Sequence, residues 1–143
     1  MCITDRVPII TRRSKGPRVL VVEDNEALRR VVVGFLRHWE CETVEAADGE
    51  AAIHLIETRG GSIDVVLLDI MLPKIDGIEV AATTRRIRPE LEIVVCSGSL
   101  DAAIIAALES FNISIFISKP FLPERLRDAI LQACQSRVGV DPS

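Results

Sequence analysis

The chain has 143 residues, enough for one domain with a sizeable core but not for two ordinary domains. Hydrophobic residues make up 48% of the chain, which excludes disorder throughout. The longest uncharged apolar runs, of about seven residues, are too short for a membrane span of roughly 18 or more. The net charge of −4 is uneven, because residues 1–18 carry five basic side chains against one acidic one, leaving −8 on the rest.

Composition also argues against several classes of function. Aromatic residues are only 3%, without tyrosine, which disfavours a nucleic-acid stacking surface. No N-terminal apolar run is long enough for a secretory signal, so export is not expected. The cysteines have no metal-ligand spacing and indicate reduced thiols in a cytosolic protein. The basic residues 1–17 are interpreted as a solvated tail or linker, with contact to a nucleic acid or a membrane as the alternative.

From residue 18 onwards, apolar runs typical of buried strands alternate with helical patterns. Strands are predicted at 19–22, 41–46, 65–68, 93–95 and 113–117. Helices are predicted at 28–39, 49–57, 77–87, 101–111 and 123–135, with Asp48 as an N-cap. This order predicts an α/β fold, a single doubly wound five-stranded parallel sheet flanked by five helices. The domain is expected at 18–137, between tails at 1–17 and 138–143.

Two of the predicted helices have informative faces. The first has an apolar stripe at helical spacing, formed by Leu28, Val31, Val32, Phe35, Leu36 and Trp39. Off this stripe, and expected to face water, are Arg29, Arg30 and Arg37. In the fourth helix, residues 102–108 are uncharged, and Ile104, Ile105 and Leu108 span a wider arc than one buried stripe. At least one of the two isoleucines is therefore expected to be partly exposed.

Polar side chains stand where four of the predicted strands end. Glu23 and Asp24 follow the first strand, Asp69 the third, Ser97 the fourth and Lys119 the fifth. In open parallel sheets the ligand site lies at this edge, so these groups should converge. Three neighbouring carboxylates repel one another, and a hard divalent cation such as Mg²⁺ is the usual remedy.

Each of these residues also has a plainer interpretation. Glu23 and Asp24 could cap the first helix, and Asp69 could cap a loop. Lys119 could be an ordinary surface lysine, and Ser97 a turn serine. Beside a metal ion, however, Asp69 could be a nucleophile that accepts a phosphoryl group, with Lys119 and Ser97 on the phosphoryl oxygens.

The sequence at these strand ends resembles the receiver domain of two-component response regulators, the CheY-like family with a flavodoxin-like fold. The likeness covers about residues 17–136. Its motifs are residues 19–25, residues 69–77, Ser97 and residues 119–121. Because all of them occur in order at the expected strand ends, the combined signal is much stronger than any single motif.

The resemblance implies a phosphorelay role with Mg²⁺ as cofactor. Asp69 would take a phosphoryl group from a phosphohistidine on a histidine kinase or a histidine phosphotransfer protein. Asp24, Asp69 and the backbone carbonyl of Met71 would hold Mg²⁺, and Glu23 would act directly or through water. Such a domain is not an enzyme beyond its own phosphorylation and dephosphorylation, and it would work in the cytoplasm.

The resemblance also implies roles around the phosphoryl group. Ser97 and Lys119 would bind its oxygens, and Ser97 and Phe116 would form the conformational switch. The family usually has a cis bond after this lysine, so a cis bond is expected between Lys119 and Pro120. Met71 and Ser99, which are neither acids nor amides, stand at the two positions that influence the attacking water, so self-dephosphorylation is expected to be slow.

Three other functions agree less well with the same residues. A haloacid-dehalogenase-like phosphatase would need a second aspartate where Met71 stands. A flavodoxin-like flavin carrier would meet repulsion between its phosphate and the pair Glu23 and Asp24. A receiver-like module that only binds protein usually lacks an acid, the nucleophile or the lysine, all of which are present here.

The expected context is a single-domain response regulator, because the chain begins with Met1. The alternative is a C-terminal receiver domain of a hybrid histidine kinase. The signal is expected to leave through the fourth helix, fifth strand and fifth helix, as a docking patch for a protein partner or as a homodimer face.

Overall fold

The computed structural model describes residues 16–140 and the side chains of residues 16–135, so most of the predicted N-terminal tail, Cys2 and residues 141–143 lie outside it. The strands are β1 (Arg18–Val22), β2 (Glu42–Ala46), β3 (Val65–Asp69), β4 (Glu92–Ser97) and β5 (Ile115–Ser118). The helices are α1 (Glu26–His38), α2 (Gly49–Arg59), α3 (Gly77–Ile87), α4 (Ala102–Glu109) and α5 (Pro123–Val140), with a 3₁₀ turn at Gly60–Ser62. The predicted doubly wound five-stranded parallel sheet is confirmed.

Strand order decides where the chemistry of this sheet lies. All strands are parallel, in the order β2-β1-β3-β4-β5. The chain steps outward from β1 to β2 and then returns to the other side of β1 with β3. In such sheets a crevice opens where the order reverses, at the carboxyl ends of the strands. Val22 pairs with Leu68, so the next residues, Glu23 and Asp69, are neighbours at this point.

Helices cover both faces of the sheet. One core cluster joins β1, β3, β4 and β5 to α1 and α5, and the other joins the opposite face to α2, α3 and α4. Residues 19–22 are at most 1% exposed. This double cover explains why the central strands are continuous apolar runs rather than alternating ones.

Short polar side chains cap four of the helices. In each, the side-chain oxygen accepts a hydrogen bond from the backbone N–H three residues later; the capping residues are Asn25, Asp48, Asp76 and Asp101. The predicted N-cap at Asp48 is confirmed. Because Asn25 caps α1, the alternative that Glu23 and Asp24 serve as its caps is wrong.

The buried face of α1 differs from the predicted stripe. Val32, Val33 and Leu36 are buried, whereas Val31 is 51% exposed. At 100° per residue, Val31 lies 100° from Val32 and turns away from the sheet, while Arg29 lies between Leu36 and Val33. The prediction that Arg29 faces water is therefore wrong: its side chain is only 15% exposed.

The segment between β3 and α3 passes very close to the end of β3. A Cβ atom on Gly77 would lie 2.6 Å from the carbonyl oxygen of Asp69 and 2.5 Å from the Cα of Ile70. The N–H of Gly77 donates to the carbonyl of Ile70 at 2.9 Å. A residue without a side chain thus lets the start of α3 lie directly against the strand end that carries Asp69.

The helix α5 extends further than the sequence pattern indicates. It runs to Val140, five residues beyond the predicted helix end at 135. Among the helices of residues 16–140, none combines the length and the apolar composition needed to cross a bilayer.

Candidate functional site

The carboxyl edge of the sheet brings five predicted site residues onto one rim. Glu23 and Asp24 directly follow β1, Asp69 ends β3, Ser97 ends β4, and Lys119 directly follows β5. Glu23, Asp69 and Ser97 are buried, Asp24 is exposed, and Lys119 is half-buried. The rim therefore contains buried acids with a single exposed acid at its outer side.

The Lys119 ammonium links the two buried acids. Its Nζ donates to Glu23 Oε1 at 2.6 Å and to Asp69 Oδ2 at 2.9 Å. Both carboxylates are almost fully covered, with side-chain exposures of 6% and 5%. Charge-assisted bonds of this kind are short and strong, so Lys119 holds Asp69 and Glu23 in a fixed relation.

The remaining oxygens of these two acids bond to backbone amides. Asp69 Oδ1 accepts from the N–H of Met71 at 3.1 Å. Glu23 Oε2 accepts from the N–H of Asn25 at 3.1 Å. Each carboxylate thus has one oxygen on the ammonium and one on an amide two residues ahead, which fixes its orientation.

The rim has more negative than positive side chains, and this shifts the pKa values of its groups. Burial raises the pKa of Glu23 above its usual 4.5, and the charge of Asp69 adds to the rise, although bonds from Lys119 and from the Asn25 amide oppose it. Burial would lower the pKa of Lys119, but its hydrogen bonds and its charge interactions with the two acids outweigh burial and raise it. Lys119 therefore remains an ammonium and offsets part of the acidic charge.

The acids also have the arrangement of a metal site. Each of Glu23, Asp24 and Asp69 offers a carboxylate oxygen, and these oxygens lie within 4.8 Å of one another. An all-oxygen donor set suits Mg²⁺, which needs only one or two carboxylates and keeps several waters. The exposed position of Asp24 leaves the site open to solvent. The residues present therefore fit the ion.

Ser97 lies at the end of β4, the strand next to that of Asp69, and Phe116 lies on β5, one strand further from it. The Ser97 side chain is fully buried, its Oγ accepts from the N–H of Ser99 at 3.2 Å, and its carbonyl accepts from the N–H of Lys119 at 2.9 Å. Phe116 pairs with Val95 across the two strands, is half-buried, and packs against the core. The Lys119–Pro120 bond is cis, as predicted.

One polar residue of the rim was missed by the sequence reasoning. The guanidinium of Arg29 donates to the carbonyl of Glu23 at 2.8 Å and to Glu45 Oε1 at 3.0 Å. It ties the start of α1 to the end of β1 and to β2. Its position on the inner arc of α1, between two buried positions, is the signal that could have identified it.

An apolar groove of about 400 Å³ adjoins the rim and was also not predicted. It lies between α1 and the segment after β5, and its lining residues are Leu28, Val31, Val32, Phe35, Lys119, Pro120 and Phe121. Lys119 belongs to both the groove and the rim. A partner lying in this groove would therefore be next to Asp69.

The fold and the acidic rim together define a class of signalling domain. The family model of the response regulator receiver domain matches residues 19–131. The chain belongs to this family. Members receive signals from histidine kinases or phosphotransfer proteins and bind Mg²⁺ at an acidic pocket, which the acidic cluster of this chain matches.

Relatives show how widely this domain is used. Chemotaxis protein CheY of Thermotoga maritima is 29% identical over 80% of this chain and 95% of its own length. Sensor kinase CckA of Brucella abortus is 28% identical over 92% of this chain but only 14% of its own length. A CheY-like receiver domain protein from Methanospirillum hungatei has the same fold, with a TM-score of 0.83 at 22% identity over 87% of this chain and 98% of that chain. The chain spans 14% to 32% of the length of several larger relatives.

Replacement of Asp24 should separate the charge repulsion of the rim from its metal binding. Without a divalent cation, Asp24→Asn should raise the melting temperature, because one of three clustered negative charges is removed. Mg²⁺ should stabilise the parent by about 2.7 kcal/mol at 100 times its dissociation constant, and should stabilise the variant far less. Thermal melts with Mg²⁺ and with EDTA measure both effects.

Asp128→Asn, at an exposed position of α5, is the matched control for the loss of one negative charge. It should retain the full stabilisation by Mg²⁺. An Asp24→Asn variant that responds to Mg²⁺ as strongly as this control would exclude Asp24 from the metal site.

Proposed function

We propose that the chain is the phosphoacceptor of a two-component phosphorelay, with Asp69 taking a phosphoryl group from a phosphohistidine. The observation that carries the proposal is the bridge from the Lys119 ammonium to Asp69 and Glu23, inside a cluster of three carboxylates. This arrangement gives a nucleophile, a cation for the phosphoryl oxygens and oxygen ligands for a metal ion at one place. Phosphoryl transfer requires mainly positioning and neutralisation of charge.

The transfer follows from these positions. A carboxylate oxygen of Asp69 attacks phosphorus, the O–P bond forms as the P–N bond to the donor imidazole breaks, and the imidazole nitrogen keeps the electron pair. The amide of Met71 orients Asp69, while Lys119 and Ser97 bind phosphoryl oxygens. Mg²⁺ would supply further positive charge. Its ligands would be Asp24, Asp69 and the Met71 carbonyl, with Glu23 as a ligand either directly or through a water molecule.

A cysteine nucleophile is a poor alternative at this rim. Cys96 pairs with Asp69 across β3 and β4, but burial raises the pKa of its thiol to about 12. The thiolate, which is the nucleophilic form, is therefore essentially absent at neutral pH. No disulfide joins the described cysteines Cys41, Cys96 and Cys134 to one another, which supports a reducing compartment such as the cytoplasm.

Loss of the Asp69 carboxylate should abolish labelling. With acetyl phosphate and Mg²⁺, the parent and the Asp128→Asn control should each gain one phosphoryl group by intact mass, while Asp69→Asn should gain none. An amide has no anionic oxygen with which to attack phosphorus. Equal labelling of Asp69→Asn and the parent would refute the assignment of the nucleophile.

The apolar groove beside Lys119 is our proposed docking site for the phosphohistidine donor. A protein donor must bring its histidine to the rim, and the groove is an apolar surface that shares Lys119 with the rim. Val31 is 51% exposed at the groove and Leu122, just beyond Phe121, is 70% exposed. Exposed apolar side chains clustered beside a polar site mark an interaction surface.

Val31→Asp should therefore separate protein donors from small-molecule donors. Transfer from a phosphorylated histidine phosphotransfer protein should slow by about tenfold or more, because burial of an unpaired charge at the contact costs at least about 1.4 kcal/mol. Labelling by acetyl phosphate should be unchanged, since it needs no groove. Equal rates from the protein donor for the variant and the parent would exclude this docking site.

The proposed output surface is α4, β5 and α5, for a protein partner or a homodimer. Binding of the phosphoryl oxygens by Ser97 would draw that residue inward, and Phe116 would turn into the space it leaves. The expected exposure on α4 is observed, because Ile104 and Ile105 are half-buried and three alanines beside them are exposed. Ile104 packs on the core, which leaves Ile105 as the better contact residue.

Ile105→Asp should weaken phosphorylation-dependent association, measured by sedimentation or by partner binding, while labelling of Asp69 stays normal. Val31→Asp is the reciprocal control and should leave this association intact. If Ile105→Asp leaves association unchanged in a folded and phosphorylated protein, the output lies on another face.

We propose domain bounds near 18–137 and two alternatives for the protein in which this domain occurs. We favour a single-domain regulator, and the alignment along 95% of chemotaxis protein CheY supports it. The match within sensor kinase CckA supports the alternative of a receiver in a hybrid histidine kinase. The size of the native protein on an immunoblot distinguishes the two.

A further inference from the structure

Met71 is an exposed methionine two residues after the acceptor Asp69. The residue is 61% exposed, and its backbone N–H donates to Asp69 Oδ1 at 3.1 Å. The chain has two methionines, and Met71 is the one in the part that the structure describes. Met71 is thus a largely exposed residue whose backbone is hydrogen-bonded to the proposed acceptor carboxylate.

The surroundings of this thioether are apolar. It lines an open groove of about 460 Å³ between the segment after β3 and α4, together with Ile70, Leu72, Asp76, Ile78 and Ile104. Only one of these side chains, Asp76, is charged. In its reduced form, the Met71 side chain therefore lines a mainly apolar groove next to the rim and offers water no strong hydrogen-bond acceptor.

We propose that Met71 is an oxidation site through which hydrogen peroxide shortens the lifetime of the phosphoryl group on Asp69; this rests on the proposed phosphoacceptor function. A lone pair of the Met71 sulfur attacks one peroxide oxygen, an S–O bond forms and the O–O bond breaks. The departing hydroxide takes the proton of the transferred hydroxyl group and leaves as water. The thioether is oxidised to the sulfoxide, and the peroxide is reduced.

The sulfoxide changes what the side chain does at the rim. The sulfoxide is polar, so it packs less favourably in the apolar groove beside Ile104. Its oxygen is a strong hydrogen-bond acceptor. From its position two residues after Asp69, this oxygen orients a water towards phosphorus. That water attacks, the bond from phosphorus to the Asp69 oxygen breaks, and inorganic phosphate leaves as the carboxylate is restored. One added hydrogen bond in the transition state speeds this loss about 2- to 10-fold.

Other sulfur atoms of the described chain can be separated from this effect. Cys41 and Cys96 are buried and Cys134 is half-buried. Disulfides and sulfenic acids of cysteine are reduced by dithiothreitol, whereas methionine sulfoxide is reduced by methionine sulfoxide reductase. Treatment with dithiothreitol after peroxide therefore removes reversible cysteine oxidation and leaves the sulfoxide in place.

The experiment compares each protein with its own untreated sample. The full chain is treated with hydrogen peroxide, then with catalase and dithiothreitol, and peptide mass mapping locates the added oxygen. It is then labelled with acetyl phosphate and Mg²⁺, the acetyl phosphate is removed, and loss of the phosphoryl group is followed. In the parent, Met71 should gain one oxygen and the phosphoryl group should be lost about 2- to 10-fold faster, an effect that the reductase reverses.

Two variants make the result specific. Met71→Leu keeps an apolar side chain without sulfur, so peroxide should leave its rate of phosphate loss the same as in its untreated sample. Met71→Gln supplies a polar acceptor permanently, so without peroxide it should lose phosphate faster than Met71→Leu. The first comparison is a ratio within one variant, so it does not depend on the starting rate of Met71→Leu; the second compares the untreated rates of the two variants directly.

Three results would overturn the inference and leave the phosphoacceptor proposal intact. Met71 could stay unoxidised, the lifetime could stay unchanged after Met71 is oxidised, or peroxide could accelerate phosphate loss equally in Met71→Leu. If the untreated parent takes no phosphoryl group on Asp69, the proposed function fails and this inference fails with it.

Discussion

The Lys119 ammonium forms hydrogen bonds to both Glu23 and Asp69 and keeps their two carboxylates together at the rim. Two buried carboxylates at adjacent strand ends repel each other and lack the water that would screen them. Lys119 compensates both at 2.6 and 2.9 Å. Removal of one partner from a buried ion pair typically costs about 3–5 kcal/mol, so the acids and the lysine are interdependent.

The sheet topology brings these three groups together from distant parts of the chain. Glu23 and Lys119 are 96 residues apart in the sequence. They meet because β3 lies beside β1, with β4 and β5 following on the same side, so all these strands end at one edge. The close approach permitted by Gly77 and the amide bond from Met71 then fix Asp69 within that edge.

The same edge connects the acceptor to surfaces that face outward. Lys119 and Pro120 line the groove on the α1 side, whereas Met71 lines the second groove on the α4 side. Ser97 joins the end of β4 to β5 through its carbonyl. Residues next to Asp69 therefore line two separate grooves, which lie on opposite sides of the rim.

The order of strands and helices, the parallel sheet and five of the rim residues could be predicted from the sequence alone, because buried strands are continuous apolar runs and strand-end residues in parallel sheets share one edge. The rotation of α1 about its axis, by contrast, depends on packing against the sheet. Its periodicity shows an apolar arc but not which part of that arc the sheet covers, so Val31 was misassigned to the core and Arg29 to water. Likewise the groove forms from α1 and the segment after β5, far apart in sequence, and no local pattern encodes the space between them.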